Sequence, residues 1–300
     1  MKKRLTYLIL QVLGHMPLWM LHSLGNMLGL LLFCLPTKIR YYVGRNLQLC
    51  LPAQSSWQRR WLILRNLCEA CKGVLEAPLF WVRSQEKLLS MVQNQAEVLP
   101  LQQALAEQTG AIVLGLHQGA YYLNRPLLAK FTPNGTYIYK PQKGVLGEFM
   151  AKHRDDFGGE MVEADPIGIR HLYRRLKQGG LAGVTCDHTA ADPGYIRVPL
   201  FGIDVPAMGL PAKLAQKSGA PVFMMVMERL SWARGFRFHL WRTSPELANP
   251  NAEIAVRAMC AEIEAAARRW PTQFEWHYRR FRHSKLAGEP IYRQRKSLSR

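Results

Sequence analysis

Residues 111–120 read AIVLGLHQGA, and this stretch decides the fold. Ala111 to Leu116 is a short apolar run without the alternation of a half-exposed strand. Such runs fit strands buried on both faces, the usual state of parallel strands in α/β proteins. The run ends at His117. Gly119 follows, where the missing side chain lets a ligand or another backbone come close. Working outward, helical patterns alternate with further short strands. Trp57 to Phe80, Gln95 to Gln108 and Tyr121 to Phe131 read as helices, with Pro126 near the first turn of the last. Thr136 to Tyr139 reads as a strand, Lys143 to Phe157 as a helix ended by Gly158-Gly159, and Glu160 to Glu163 as a strand. Ile167 to Gln178 is a basic helix, and Leu181 to Thr185 is a buried strand ending at Cys186, Asp187 and His188. Ala190 to Val198 reads as a turn-rich loop. Leu210 to Ser218 is a helix, Pro221 to Glu228 and Phe236 to Trp241 are late strands, and Ala252 to Arg269 is an amphipathic helix. This order predicts an α/β fold with a mostly parallel central sheet flanked by helices. In such sheets, sites gather at the carboxyl ends of strands. His117 and Asp187 both fall there.

The chain has 300 residues, with 40 Lys and Arg against 21 Asp and Glu, a formal charge of +19. That surplus speaks to partners and not to fold. No nucleic-acid-binding motif accompanies it, so nucleic acid is not the expected partner. The first acidic residue is Glu69, and the basic residues before it flank an apolar stretch from Leu5 to Leu35. A basic flank fits an anionic membrane surface, at ~1 kcal/mol per Lys or Arg. The stretch exceeds the ~20 residues of a bilayer span, but Pro17, Asn26 and three glycines interrupt it. Residues 1–40 are therefore expected to be a membrane-associated helical segment. It either dips into the bilayer and returns, lies along it, crosses once, or folds as a buried hairpin. Residues 41–300 would form the α/β domain. The six cysteines show no disulfide-framework spacing, and the C-x-x-C of Cys68 and Cys71 sits in a helical stretch with no second pair. They read as ordinary thiols.

His117 is the strongest chemical candidate. At a strand end it can accept a proton from an attacking hydroxyl, or it can cap the next helix. Asp187 is either a partner for it or a turn-capping aspartate.

Beyond these residues lies a family resemblance. LGLHQGAYY resembles the lipid A late acyltransferase block in which a His and an acidic residue five positions later bracket a glycine. IYKPQKG resembles that family's Tyr-Arg-Pro segment. FGGEMVEAD, GIRHLYRRLKQGGLAGVTCDH, VPLFG with LPAKLAQKSGAPV, and FEWHYRRFR resemble later blocks in the same order, and RNLQLCLP fits an earlier one. The resemblance covers about residues 40 to 285. It implies a glycerolipid acyltransferase-like sandwich and acyl transfer to a hydroxyl of a lipid A-type lipid. The donor would be a thioester on acyl carrier protein or acyl-CoA, and the acceptor an anionic lipid. It further implies His117 as general base, no metal or other cofactor, and a place at the bacterial inner membrane with the catalytic domain on the cytoplasmic side. Lys140 and Arg170 would contact phosphates or the carrier, with Gly119 and Gln118 beside the substrate.

One departure matters. The family's acidic position holds Tyr122. A phenol can take a hydrogen bond, but it lends an imidazolium no comparable charge stabilisation. Asp187 or Tyr122 is the expected assistant. Two alternatives stay open: an aminoacyl or short-acyl transferase on the same scaffold, and a catalytically inactive lipid-binding homologue.

Overall fold

The computed structural model describes residues 2–142, 144–152, 157–189 and 194–292. The strands in chain order are β1 (Val92–Gln93), β2 (Ala111–Gly119), β3 (Thr136–Tyr139), β4 (Glu160–Glu163), β5 (Leu181–Thr185), β6 (Tyr195–Leu200), β7 (Ile203–Met208), β8 (Val222–Arg229), β9 (Phe236–Arg242), β10 (Lys285–Leu286) and β11 (Glu289–Pro290). Among the described residues, seven of them form a sheet of order β1-β9-β8-β2-β5-β3-β4. Every neighbouring pair is parallel except β8 and β9. The link from β8 to β9 is too short for a crossover, so these two must run antiparallel.

β2 is central, and its apolar run explains why. Ile112, Leu114 and Leu116 enter one core, while Ala111 and Val113 enter the other. Both faces of the sheet are covered, as an unalternated strand requires. The helices are α1 (Lys2–His15), α2 (Leu18–Cys34), α3 (Lys38–Cys50), α4 (Ser56–Val82), α5 (Gln85–Leu89), α6 (Leu99–Ala106), α7 (Asn124–Phe131), α8 (Gly144–Lys152), α9 (Pro166–Lys177), α10 (Leu210–Ser218) and α11 (Ala252–Arg269). Local chemistry sets their ends. The Asp165 side chain accepts from the backbone of Ile167 and Gly168 at the start of α9, and Gly219 closes α10 in the left-handed conformation.

The apolar N-terminus is two helices, bent by 118° at a break before Leu18. Among the described residues no single helix is long and apolar enough to cross a membrane, although this bent pair passes by length and composition together. Gly25 and Gly29 press α2 against α4. A Cβ at Gly29 would lie 2.4 Å from the Cys68 Cα, so only glycine fits. Leu5, Leu8, Ile9, Val12, Trp19, Met27, Leu30 and Leu31 remain exposed on α1 and α2.

Several sequence expectations need correction. Residues 95–108 are a 3₁₀ turn followed by α6, because Pro100 sits at the helix start. Residues 121–131 likewise open with a 3₁₀ turn before α7. Lys143 and residues 153–156 of the expected helix lie outside the described residues, as do 190–193 of the expected loop. The remainder of that loop is the start of β6, which pairs antiparallel with β7. The two-residue turn Phe201-Gly202 has positive φ at both positions, the tight-hairpin geometry whose twist matches paired strands.

Candidate active site

After β2 the chain builds β3, β4 and β5 on one side of it, then returns to lay β8 on the other. β2 is thus where the winding reverses, and its carboxyl end opens at the switch point of the sheet. The pairing of β2 with β8 loses its regular register between Gly115 and Gly119. Such an irregularity re-aims side chains, and His117 lies within it. Gly119 has φ +61°, and a Cβ there would lie 2.0 Å from the Met227 carbonyl. Only glycine allows the strand to turn this way.

A strap formed by residues 270–281 crosses the same end. Gln118 pairs with Phe274 in an isolated antiparallel bridge, and the Gly119 N–H donates to the Gln273 carbonyl at 3.1 Å. The strap carries Glu275, His277, Tyr278 and Arg280 to the site.

His117 Nδ1 lies 2.8 Å from Asp187 Oδ1. An ionised carboxylate only accepts, so Nδ1 carries the hydrogen and Nε2 the lone pair. Among the described residues Nε2 has no hydrogen-bond partner. The His117 side chain keeps 21% of its exposure and Asp187 keeps none, so the base is reachable while its partner is sealed. Behind the pair, the buried Arg280 guanidinium donates to the Asp187 backbone carbonyl and lies 3.4 Å from its Oδ2. On the other side, the His188 ring stacks on His117, with centroids 3.9 Å apart and planes 2° from parallel. The far face of His188 meets Tyr278 at 4.3 Å. His188 Nε2 lies 3.1 Å from Glu275 Oε2, and His277 Nε2 lies 3.3 Å from Glu275 Oε1.

The electrostatics follow from this geometry. Burial works against the charged form of His117, but the Asp187 charge and hydrogen bond, aided by Glu275, outweigh it and raise the imidazole above its ordinary value. Arg280 opposes them. Burial would raise Asp187, yet His117, Arg280 and His188 hold it far below the usual carboxylate range. Glu275 is likewise resisted by burial and drawn down to about 2 by hydrogen bonds from His188 and His277. Both carboxylates are therefore ionised at neutral pH.

His117, His188 and Glu275 each offer a ligand atom within 4.8 Å of the others. A metal must lie near the plane of each ligating imidazole, at ~2.0–2.1 Å. Two stacked rings with nearly parallel planes cannot share one ion as they stand.

The sequence candidates separate in space. His117 and Asp187 meet. Tyr122 turns away and packs against Trp81 at 5.3 Å and Phe80 at 6.2 Å, with Tyr121 between it and the His117 ring. Gln118 faces the opposite side, where its Nε2 donates to the Ala266 and Trp270 carbonyls. Lys140 and Arg170 are exposed, and no hydrogen bond joins either to the His117–Asp187 pair. Sequence reasoning missed the roles of Arg280 and Glu275, more than 150 residues from His117. One signal was present: Glu275 is the single acid between Glu264 and Glu289, inside a basic run.

A second buried charge cluster backs the turn at Gly119. Arg229, at the end of β8, bonds Glu69 at 2.8 Å, Glu76, and the Gly119 carbonyl at 3.2 Å. Lys72 joins Glu69, and His22 of α2 joins Glu76 at 3.0 Å. The network ties the N-terminal helices to the backbone beside His117.

An α/β sheet with a histidine–carboxylate pair at its switch point describes an enzyme, and the comparisons give its class. The profile of the bacterial lipid A biosynthesis acyltransferases matches residues 3–283. The chain is 24% identical over 280 residues to the lipid A biosynthesis lauroyltransferase of Escherichia coli K12, covering 91% of this chain and 89% of that one. It is 23% identical over 251 residues to the palmitoleoyltransferase of the same organism and to a Shigella flexneri lipid A biosynthesis acyltransferase, covering 83% of this chain and 80% of each. The chain belongs to the bacterial lipid A biosynthesis acyltransferase family and is an acyltransferase.

Proposed function

We propose that the chain transfers an acyl group from a carrier-bound thioester to a hydroxyl of a lipid A-type lipid. The observation that carries this reading is the His117–Asp187 pair at the open end of β2. In it, His117 Nε2 takes the proton of the acceptor hydroxyl as the oxygen attacks the thioester carbonyl. The carbon–sulfur bond then breaks, and the thiolate leaves with the proton held by His117. Asp187 orients the ring and helps to stabilise its charge. The names and family of the similar proteins support the lipid A-type acceptor. Acyl carrier protein or acyl-CoA is the donor, and exposed cations such as Lys140 and Arg170 suit phosphates on the donor or acceptor.

In the same reading, the exposed apolar residues of α1 and α2 sit in the inner leaflet of the inner membrane, with the sheet on the cytoplasmic side. A bent helix pair with a basic start fits a segment that enters the lipid without crossing it.

The test is a mass comparison of envelope lipids with and without the gene, complemented by wild type or by His117→Ala. A gain equal to one fatty acyl group, present only with the wild type, is expected. An aminoacyl mass, or restoration by the variant, refutes the reading.

A further inference from the structure

Asp187 alone does not balance a protonated His117. Its carboxylate is already matched by the buried Arg280, whose guanidinium bonds the Asp187 backbone and faces Oδ2. The acidic side chain nearby without a matching arginine or lysine is Glu275. It reaches the base through His188, whose ring lies flat on His117 and whose Nε2 bonds the carboxylate.

We propose that His188 and Glu275 form a second imidazole–carboxylate pair, which positions the His117 ring and supplies the charge that balances it during acyl transfer. The proposal rests on the reading of His117 as the base.

The geometry carries it in three ways. First, His188 is clamped on both faces, by His117 and by Tyr278. Tyr278 is itself held by its hydroxyl donating to the Thr189 carbonyl at 2.8 Å. The His117 ring therefore rests on a fixed plate, and rotation about its Cβ–Cγ bond is blocked. Second, an aromatic face attracts a cation. A proton arriving at Nε2 of His117 is met by the ring face of His188, which lies flat against it. Third, Glu275 accepts from His188 and His277 together. With Arg280 matched to Asp187, Glu275 is the carboxylate at the site without an arginine or lysine partner, and its charge acts on the incoming proton.

The charged and titratable groups facing His117 are Asp187 and His188 from the segment after β5, Glu275 and Arg280 from the strap, and Tyr121 after β2. His277 acts through Glu275. Burial lowers the imidazole, while Asp187 and then Glu275 raise it. Removing the Glu275 charge therefore moves His117 downward, opposite to what relief from burial would do.

The experiment uses the full chain in detergent micelles with ¹³C-labelled histidine. The His117 ring resonance is assigned by its loss in His117→Gln and is titrated by NMR. Transfer is followed with a lauroyl thioester of acyl carrier protein and a lipid A precursor as probes. In Glu275→Gln the His117 midpoint is expected to fall to lower pH. Turnover is expected to drop about tenfold with KM kept, because the supporting charge is removed while the ring contact remains. His188→Phe keeps a ring over His117 but cuts the bond to Glu275. It is expected to shift the midpoint in the same direction and serves in place of Glu275→Gln if that variant does not fold. An unchanged midpoint in a folded variant, or a loss that lies in KM alone, overturns the proposal. Absence of transfer by the wild type would instead remove the catalytic reading. In that case the titration still shows whether Glu275 sets the basicity of His117.

Discussion

Asp187→Asn keeps the shape of the side chain and removes its charge. The His117 Nδ1 to Asp187 Oδ1 distance is 2.8 Å. At an effective dielectric near 20, unit charges at that separation attract by ~6 kcal/mol. That is the upper limit on what the imidazolium loses, because Arg280 already draws on the same carboxylate. It corresponds to ~10⁴ in rate, the same order as removing the carboxylate of a serine-protease triad. Turnover is therefore expected to fall 10²- to 10⁴-fold, with little change in KM, since the lost charge acts on the imidazolium that forms during the step. The assay is initial-rate acyl transfer by purified protein, beside far-UV circular dichroism and a thermal melt. The amide would leave Arg280 buried without a counter-charge, so the melt must show the fold intact at assay temperature. The double variant His117→Gln/Asp187→Asn separates a unit from two independent residues. If the pair acts together, the double variant is no slower than His117→Gln alone. Activity of Asp187→Asn within threefold of wild type, or additive losses in the double variant, would refute the reasoning.

Other outcomes follow from the same contacts. Gly119→Ala places a methyl against the Met227 carbonyl in a backbone that alanine disfavours, so both the melting temperature and turnover should fall; the measurements are calorimetry and the transfer assay. Tyr122→Phe should keep activity within about threefold, because the ring packs against Trp81 and the hydroxyl does not touch His117. Arg229→Met strands Glu69 and Glu76 in the interior and should cost roughly 3–5 kcal/mol in denaturant unfolding. Glu275 has a folded-state value near 2, below its ordinary range. Its contribution to stability is present above about pH 4.3 and is lost as pH falls toward 2. Glu275→Gln should therefore flatten the stability profile through that acid window, read as denaturation midpoint against pH.

Much of the architecture is legible in local sequence. The unalternated run at 111–116 marks a strand covered on both faces, and Ile112 and Val113 do enter opposite cores. Pro17 breaks the apolar N-terminus into two helices. The β6–β7 hairpin was hidden, because Phe201-Gly202 lacks the Asn-Gly type of signal that marks such turns. Phe201 adopts a positive φ there, and its ring lies against Trp276 at 5.7 Å.

The site divides along the same line. Local pattern alone determined that His117 and Asp187 end buried strands, since hydrophobic runs and turn residues act over a few positions. By the family resemblance, the acidic position five residues after the histidine holds Tyr122. Only the folded sheet decided that the Asp187 carboxylate meets the His117 ring, because β5 lies beside β2 in a register that no short-range signal encodes. The same holds for Glu275 and Arg280. They reach His117 through a strap that crosses the end of β2, and contacts across more than 150 residues depend on how the whole chain packs.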